Sequence, residues 1–456
     1  MVDILCINPA SSENRKAGIF MPHLGIAYIG AFLEKYGYSV KLIDSPVEDI
    51  DIEEIIKKYT PSFTLISGTT QKRFDSFMIA KIAKEVHPET ITVYGGPHAT
   101  FTAEDTLKHI PWIDIIVRGE GEHTALELIK AKTLSEDILG ISYRKYDRIY
   151  HNPDRPQINN LDELPFPAYH LLQMQDYEKK FLMGIYRNIE KDVPSINMIT
   201  TRGCPNKCTF CSGSAMWRKV KKRSPENVVD EIQMLVDKYK IKGVNFVDST
   251  LTLDKNHVLG ICSEIKKRKL DIVWFCEARV DTVNKEILSI MKDSGCRYIQ
   301  IGVESGSQKV LENINKKIKI KQVRDVVQWS NELGLPIRAG FMFGLPGETF
   351  EDAMETVNLI KELKKNNIDV GVNITNIFPG TEVEQYAFKN GYLPQDFSWS
   401  APYYNEKNKN NVPSLIQPQM GYSEFRKIMF KLKMDEIFTI NGLSNILHTF
   451  KSKIGL

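Results

Sequence analysis

The chain has 456 residues, enough for two domains of ordinary size and a tail. A hydrophobic fraction of 42% and a charged fraction of 26% are typical of a folded globular protein and exclude a disordered chain. The net charge of +3 is close to neutral for this length, so charge gives no reason to expect a nucleic-acid partner or a membrane surface.

The cysteines and the lengths of the apolar runs indicate the cellular compartment in which the protein works. The 7 cysteines do not suggest a disulfide framework, and they suit a reducing compartment. The first residues enter a strand-like run at once, without the basic and apolar regions of a signal peptide. No apolar run approaches the ~18–20 residues of a membrane span. We therefore expect a cytoplasmic protein with no transmembrane segment.

Residues 1–137 alternate short β-branched runs with amphipathic helical patterns. Strands are predicted at Ile4–Asn8, Ser39–Ile43, Phe63–Ser67, Ile91–Tyr94 and Ile113–Val117. Helices are predicted near His23–Tyr36, Ile52–Tyr59, Asp75–His87, Ala103–His109 and His123–Lys130. This alternation predicts an α/β domain with a parallel, doubly wound (Rossmann-like, flavodoxin-like) sheet, whose ligands bind at the carboxyl ends of the strands.

Three of those strand ends carry loops of small residues. They are Ser67, Gly68, Thr69 and Thr70; Gly95, Gly96, Pro97 and His98; and Gly119, Glu120 and Gly121. Glycines let a backbone approach a ligand closely, although in any one loop they could serve only a tight turn. Neither GxGxxG after the first strand nor GxxxxGK[ST] occurs, so a nicotinamide or nucleoside triphosphate site is not supported.

The loops Gly95–Thr100 and Arg118–Glu122 resemble those of the cobalamin-binding domain that precedes the barrel in many radical S-adenosylmethionine (SAM) enzymes. The resemblance implies that the eleven loop residues named above hold cobalamin, unless the site is vestigial. The D-x-H-x-x-G motif of the mutases is absent, because His23-Leu24-Gly25 lacks its aspartate and spacing. A histidine ligand below cobalt is therefore not expected, and Gln71, Lys72 and Arg73 are the candidates for that position.

Residues 138–195 are interpreted as a hairpin followed by a linker. Gly140–Arg144 and Arg148–Tyr150 flank a polar turn. Pro165 and Pro167 then favour an extended passage that packs on both domains.

Residues 196–380 contain six strand-like runs, each followed by a helical pattern. The strands are predicted at Ile196–Thr200, Gly243–Asp248, Ile272–Cys276, Tyr298–Val303, Ile337–Phe343 and Val370–Ile377. Helices are predicted near Pro225–Lys240, Lys255–Lys267, Lys285–Ser294, Ile320–Gly334, Phe350–Lys365 and Glu382–Asn390, the first capped by Ser224. Six consecutive βα units predict a partial (β/α)6 barrel with its chemistry at the strand ends.

Cys204, Cys208 and Cys211 follow the first of these strands with C-x3-C-x2-C spacing. Soft thiolates favour zinc, copper(I) or iron–sulfur centres. Structural zinc usually takes four protein ligands, and no fourth Cys or His lies nearby in the sequence. Three ligands on a four-iron cube would leave one iron open, which is typical of a catalytic site.

This spacing, with Phe210 before the last cysteine, resembles the cluster loop of the radical SAM enzymes. The resemblance implies a [4Fe-4S] cluster held by the three cysteines, with SAM chelated at the open iron. The alternatives are three unrelated cysteines or a truncated zinc site.

Polar residues at the other strand ends also match this family. They are Asp248, Glu277, Arg279, Glu304, Ser305 and Arg338. Buried charges are costly unless paired, so the charged members could equally pair for structural reasons. By resemblance, Asp248 lies in the motif for the SAM amino group, Glu304 or Ser305 in the ribose motif, and Arg338 near the SAM carboxylate. Phe210 would offer its backbone to adenine.

Residues 381–456 are expected to form a C-terminal extension. Trp399, Pro402, Tyr403 and Tyr404 begin an irregular segment that packs in the core or touches substrate. Helices are predicted at Ser423–Ile440 and Asn445–Ser452, after an exposed loop at Lys407–Asn411. Elsewhere, Cys262 and Cys296 are expected to be buried thiols, and Cys276 could face the site.

The combined resemblance implies a cobalamin-dependent radical SAM enzyme in which a 5′-deoxyadenosyl radical abstracts hydrogen from an unactivated carbon, followed most plausibly by C-methyl transfer. The alternatives are an oxidative cyclase or ring-forming enzyme without methyl transfer, and a non-catalytic cobalamin-binding sensor. A small-molecule substrate, such as a lipid or a natural-product intermediate, is expected. The resemblance also implies an external one-electron reductant such as flavodoxin or ferredoxin.

Overall fold

The computed structural model describes residues 3–10, 21–48, 50–131, 136–175, 177, 193–401, 412–415 and 421–437. Two large sheets organise these residues, and the second follows the first along the chain. The described ranges contain no helix that is both long and apolar enough to cross a membrane.

The first sheet has seven strands in the order β2-β1-β3-β4-β5-β6-β7. Their bounds are β1 Ile4–Asn8, β2 Val40–Asp44, β3 Phe63–Ser67, β4 Ile91–Gly95, β5 Ile115–Val117, β6 Ile141–Lys145 and β7 Arg148–His151. The first five are parallel, and β6 and β7 extend the sheet as the predicted antiparallel hairpin. Strand order reverses between β1 and β3, and ligands bind at such a reversal in doubly wound sheets.

Among the described residues, six α-helices belong to this sheet. They are α1 Leu24–Lys35, α2 Ile52–Tyr59, α3 Arg73–Val86, α4 Pro97–Phe101, α5 Ala103–His109 and α6 Glu122–Ala131. The side chain of His23 caps α1 by accepting a hydrogen bond from the backbone N–H of Ile26, and Asp51 caps α2 in the same way through Glu53. These caps explain why both helices begin directly after the polar loops.

The second sheet has six parallel strands in the order β15-β14-β13-β12-β11-β8. Their bounds are β8 Ser195–Met198, β11 Gly243–Phe246, β12 Val273–Ala278, β13 Cys296–Glu304, β14 Ile337–Phe343 and β15 Asp369–Ile374. A short antiparallel pair, β9 Thr201–Arg202 and β10 Lys221–Lys222, encloses the cysteine loop. Consecutive parallel strands with helical crossovers form the predicted partial barrel, and the predicted fold class is confirmed.

Nine α-helices follow β9 within the part of the chain that the structure describes. They are α7 Ser212–Met216, α8 Pro225–Tyr239, α9 Lys255–Lys267, α10 Lys285–Asp293, α11 Gln308–Asn313, α12 Ile320–Leu333, α13 Phe350–Lys365, α14 Glu382–Lys389 and α15 Tyr422–Ile437. Ser224 caps α8 and Pro225 occupies its first turn, as its sequence predicts. The predicted helix 445–452, residues 402–404 and residues 407–411 lie outside the described residues.

The linker contacts both sheets, as expected from its prolines. Ala168 donates its backbone N–H to the carbonyl of Ala27 in α1, at 3.0 Å. Asp162 accepts the N–H of Ser224, the cap of α8, at 2.9 Å. One buried hydrophobic cluster joins residues of α1, the linker and the second sheet. The two sheets are therefore packed through a common core.

Candidate functional site

A cavity of about 330 Å³ lies where the carboxyl ends of the two sheets meet. Its wall on the first sheet contains the loops after β3, β4 and β5 and the start of α1. Its wall on the second is formed by Ile199, Thr201, Arg202, Gly203, Met216, Trp217, Val247 and Ser249. Loops predicted for cobalamin and the ends of two strands of the second sheet therefore face one shared space, whereas none of the residues predicted for the cluster or for SAM belongs to this wall.

Gly96, after β4, lines this cavity with a backbone that only glycine adopts readily. Its φ is +99° and its ψ is −177°. A Cβ at Gly96 would come within 2.9 Å of the carbonyl oxygen of Gly68, and a Cβ at Gly121 within 2.9 Å of Ile29 Cδ1. Because Gly96 and Gly121 have no side chains, the neighbouring segments pack closely at these two positions. This wall of the cavity therefore fits a large ligand that must approach the backbone.

Eight of the eleven residues predicted for cobalamin line the cavity. They are Ser67, Thr69, Gly95, Gly96, Pro97, Gly119, Glu120 and Gly121. The start of α1, which the sequence reasoning did not include, adds His23, Gly25, Ile26, Tyr28 and Ile29. The sequence feature that could have predicted this part of the wall is the glycine-containing stretch His23–Gly25, which was compared only with a metal-ligand motif.

Gly68, Thr70 and His98 do not belong to the cavity wall. His98 is fully buried, and its Nδ1 lies 3.2 Å from Thr70 Oγ1. Its ring packs beside Tyr94 and Trp399. Burial and the nearby Arg73 guanidinium lower the pKa of His98 to about 3, so the ring is neutral. These contacts give His98 a packing role.

The candidates for the position below cobalt also lie outside the cavity wall. Lys72 is buried and donates from Nζ to Asn8 Oδ1 at 3.0 Å. Arg73 is fully buried, and it donates to the carbonyl oxygens of Trp399 and Thr70 at 2.7 and 2.8 Å. Gln71 is exposed. The charged side chains of this helical turn are thus committed to internal contacts.

A buried ion cluster joins the walls of the cavity. Arg202, in β9, donates to Glu120 at 2.8 Å and to Glu122 at 2.6 Å. All three side chains are at most 9% exposed. Burial alone would raise the pKa of Glu122, but the Arg202 guanidinium outweighs burial and holds that pKa below its ordinary value. The loop after β5 is therefore fixed to the strand that leads into the cysteines.

The cysteine loop leaves β9 through Gly203, whose φ is +102°. A Cβ at Gly203 would overlap the carbonyl oxygen of Lys219. The N–H of Cys204 donates to the carbonyl of Trp217 at 2.9 Å, and that of Thr209 to the carbonyl of Ile314 at 3.1 Å. These bonds hold the loop between α7 and the segment after α11.

The three predicted cluster cysteines share this one loop. Cys204 is buried, and Cys208 and Cys211 are half-buried. Within the described ranges, no three Cys, His, Asp or Glu side chains form a group that could hold one metal ion. In a four-iron cluster each thiolate binds its own iron, so the ligands need not converge on one point. The half-exposed, all-thiol donor set therefore suits a cluster. Phe210, half-buried, packs against the adjoining cores.

Asp248 anchors the start of the cysteine loop from the end of β11. Its Oδ1 accepts hydrogen bonds from Thr200 N at 3.0 Å, from Thr201 Oγ1 at 2.6 Å, and also from Thr200 Oγ1 and Thr201 N. Oδ2 is buried and has no partner among the described residues. Burial raises the pKa of Asp248, although these hydrogen bonds act against the rise. One carboxylate oxygen thus has a structural role, and the other is free for a ligand.

Inside the barrel, Glu304 pairs with Lys316 at 2.7 Å. Glu304 has a φ of +69° at a register shift of β13. Glu277 opens onto the concave interior, where burial and the neighbouring Glu304 raise its pKa. Lys316 was missed by sequence reasoning, because it lies in a lysine-rich turn with no motif of its own.

Arg338 of β14 also lies in the barrel interior, near Asp369 at 3.8 Å. Three glycines stand side by side on neighbouring strands, Gly302 paired with Gly340 and Gly340 with Gly371. A Cβ at Gly371 would approach Arg338 Nε to 2.8 Å, and one at Gly302 would approach Lys316 Nζ to 2.8 Å. The glycine row leaves room for these cations, and isolated glycines within the strands were the overlooked signal.

Two of the residues predicted for SAM are already engaged in the fold. Arg279 binds both oxygens of Asp281 at 2.9 and 2.8 Å and the carbonyl of Lys316 at 2.7 Å. Ser305 is fully buried, 3.1 Å from Thr356 Oγ1, and it accepts the N–H of Ser307. Both side chains stabilise the loops that carry Glu304 and Lys316.

Of the other four cysteines, Cys6 in β1 lines the cavity and three lie in the core of the barrel domain. Cys262, Cys276 and Cys296 are at most 3% exposed. Cys276 alternates along β12 with Glu277, so it points to the opposite face, towards the helices. The possibility that Cys276 faces the site is therefore not realised.

The chain matches two family models in succession. Residues 14–129 match the B12-binding domain, and residues 198–360 match the radical SAM superfamily. The two matched ranges contain the strand-end loops that line the cavity and the cysteine loop, whose preceding residue Gly203 also lines it.

Relatives match over most of the chain. An uncharacterized methyltransferase of Pyrococcus horikoshii is 37% identical over 399 residues, which cover 86% of this chain and 84% of that protein. The anaerobic magnesium-protoporphyrin IX monomethyl ester cyclase of Rubrivivax gelatinosus is 31% identical, over 75% of this chain and 62% of the cyclase.

Among solved structures, the radical S-adenosylmethionine methyltransferase TsrM of Kitasatospora setae superposes with a TM-score of 0.75. The match covers 94% of this chain and 88% of TsrM at 16% identity, so it concerns the fold alone.

Proposed function

The chain belongs to the radical SAM superfamily and carries a B12-binding domain, and from this premise we propose that it transfers methyl groups to carbon in a small-molecule substrate. It is an enzyme whose cofactors are a [4Fe-4S] cluster, SAM and cobalamin. The observation that carries the methyl-transfer proposal is the shared cavity, because a methyl carrier held by the glycine loops would face the mouth of the barrel.

Cys204, Cys208 and Cys211 would hold the cluster, and the cavity-lining loops of the first sheet would hold cobalamin. When bound, the cluster supplies the electron that cleaves SAM, and cobalamin supplies the methyl carrier. Gly96 and Gly121 would keep the cavity open to that carrier. Ile199, Met216, Trp217 and Val247 would exclude water from the reacting groups.

The barrel interior would position SAM through charge. Arg338 suits a carboxylate, and the Glu304–Lys316 pair and Glu277 suit an ammonium or ribose hydroxyls. The unpartnered Oδ2 of Asp248 is a second acceptor for the ammonium. Arg279 and Ser305 would act by positioning these groups, because their own polar atoms are engaged.

A second candidate is a radical SAM cyclase without methyl transfer. It is favoured by the Rubrivivax gelatinosus cyclase, although this chain spans only 62% of that relative. The same cavity could enclose a substrate that closes a ring, so the products must decide.

The test is anaerobic reconstitution with iron, sulfide and cobalamin, followed by incubation with methyl-deuterated SAM, a reductant and a small-molecule extract. Methyl transfer predicts 5′-deoxyadenosine, S-adenosylhomocysteine and a deuterated product. A cyclase predicts 5′-deoxyadenosine without S-adenosylhomocysteine. If neither 5′-deoxyadenosine nor S-adenosylhomocysteine forms while cobalamin remains bound, the result would contradict catalysis and indicate a cobalamin-binding sensor. Cys208→Ser, which removes one proposed cluster ligand, should abolish both products while cobalamin remains bound.

A further inference from the structure

Five exposed cations lie on the cysteine loop or on two segments that are hydrogen-bonded to it. This basic collar consists of Lys207, Arg218, Lys219, Lys317 and Lys319. The whole chain carries 60 basic and 57 acidic residues, so such a group is a local feature and does not reflect general basicity.

Hydrogen bonds bring the three segments of the collar together. The segment of Arg218 and Lys219 is joined to the loop by the bond from Cys204 N to the carbonyl of Trp217. The segment of Lys317 and Lys319 is joined by the bond from Asn315 Nδ2 to the carbonyl of Lys207, at 3.0 Å. The segments that carry the five side chains therefore adjoin one another at the cysteine loop.

The collar cations are unneutralised within the described residues, where none of the five forms an ion pair. Nearby lysines behave differently, since Lys222 pairs with Asp254 and Lys316 with Glu304. Among the described residues, Glu312 and Glu382 are exposed on the adjoining segments. Asp154 is exposed on the segment that Gln157 joins to Lys219, and it pairs with Arg118. The described surface therefore keeps a net positive charge.

The collar encloses the side on which another protein can come closest to the thiols. Pro205 and Lys207 are exposed, whereas Cys204, one residue earlier, is 8% exposed. Cys208 and Cys211, in the same loop, are half-buried, so the thiols lie close to the outer surface. An electron donor needs such a short path.

We propose that the basic collar docks an acidic one-electron-transfer protein, an inference that rests on the proposed function. The donor loses one electron and the cluster held by the cysteines gains it, with no bond formed or broken. Opposite charges would steer the encounter, and a small, transient interface suffices for a donor that must leave again.

The test compares two variants with equal changes of charge. The collar variant carries Arg218→Glu, Lys219→Glu and Lys317→Glu. The control carries Lys58→Glu, Lys108→Glu and Lys145→Glu, three exposed lysines of the first sheet domain. Lys207 is left unchanged because it lies within the cysteine loop. The measurement is the rate of cluster reduction by a reduced flavodoxin in a stopped-flow spectrometer.

At low ionic strength we expect the collar variant to be slower by on the order of tenfold or more, and the control to stay close to the wild type. The difference should vanish near 1 M salt, where the Debye length is about 3 Å. At 1 M salt, where charge is screened, dithionite should reduce the cluster equally fast in all three proteins, which verifies folding and cluster content.

Equal rates with flavodoxin in the two variants, or a rate insensitive to salt, would overturn the proposal. It would also be overturned if the collar variant lost binding to a polynucleotide but kept its rate of reduction. Cluster reduction is measured without any methyl acceptor, so a failure of methyl transfer with dithionite would contradict the proposed function and leave the docking result intact.

Discussion

Gly96 is the single residue whose replacement has the clearest expected effect on the cavity. Its backbone is restricted to glycine, and a Cβ would press on the Gly68 carbonyl. We expect Gly96→Ala to destabilise the fold by about 1–3 kcal/mol and to weaken cobalamin binding, because the loops after β3 and β4 must separate. Urea unfolding and an absorbance titration with cobalamin measure the two effects.

Gly119→Ala is the matched control. Gly119 also lines the cavity with positive φ, +75°, but a Cβ there meets no atom within 4 Å. Its replacement should therefore show the backbone strain alone, about 1–2 kcal/mol. Equal losses of cobalamin affinity in the two variants would contradict the importance of the close approach at Gly96.

His98 is expected to make stability depend on pH. The folded pKa of about 3 lies below the unfolded value of 6.5, so unfolding takes up a proton between these values. Its contribution to stability is therefore complete above pH 6.5 and is lost progressively as the pH falls towards 3. At pH 5 we expect a loss of about 2 kcal/mol relative to pH 7.5.

The measurement is denaturant unfolding of the wild type and His98→Gln at several pH values. The difference between their stabilities isolates this residue from the other buried groups. A difference that did not change between pH 7.5 and 5 would show that the ring is not held neutral by burial.

At the scale of elements, the connection between β9 and the loop before α6 depends on Arg202. Arg202→Met leaves Glu120 and Glu122 buried without a counterion, which should cost about 3–5 kcal/mol. Because Glu120 and Glu122 line the cavity, we also expect cobalamin affinity to fall at least about tenfold, equivalent to about 1.4 kcal/mol. Thermal unfolding and cobalamin titration are the measurements.

Arg223→Met separates these two effects. Arg223 forms a similarly buried ion pair with Glu231, on the other side of Tyr28, but neither member lines the cavity. This variant should lose stability and keep its cobalamin affinity. Equal losses of affinity would mean that Arg202 acts only through general stability.

At the scale of the whole molecule, the C-terminal extension binds the first sheet domain back to the barrel. Asp105 accepts hydrogen bonds from Ser398 and from the backbone and side chain of Ser400, at 2.7 to 2.9 Å. Trp399 is 5% exposed and donates from Nε1 to Glu384 of α14 at 2.6 Å. These contacts lie apart from the linker and give the two domains a second connection.

Trp399→Ala should remove about 3–5 kcal/mol of packing against His98 and Phe397. We expect faster hydrogen exchange at residues 97–101 and 382–389. Faster exchange confined to residues 382–400, with residues 97–101 unchanged, would show that this connection does not hold the first sheet domain. Trp399→Phe keeps most of the ring packing and should show a smaller effect.

Most of the elements were predictable because their patterns are local. The periods of apolar residues gave both sheets, and caps such as Ser224 marked where helices begin. The short antiparallel pair of β9 and β10 was not predictable, because a strand of two residues is too short to show an alternation of apolar and polar residues. The second helix of the tail stays a prediction, outside the described residues.

The site was predictable in its chemistry and less so in its geometry. Soft ligands and glycine loops are legible in the sequence because their spacing along the chain is itself the signal. Which polar residues are free and which are engaged depends on distant partners. Arg279 meets Asp281, but Lys316 meets Glu304 across a turn and Arg202 meets Glu120 from another domain.

By itself, the sequence determined the two-domain α/β architecture, the three thiols on one loop and the polar strand ends, since each follows from neighbours along the chain. Only the tertiary structure decided that both sets of strand ends share one cavity, that His98 is a packing residue, and that a collar of cations encloses the thiols. Each of these depends on contacts between residues far apart in sequence, and such contacts have no local pattern from which to predict them.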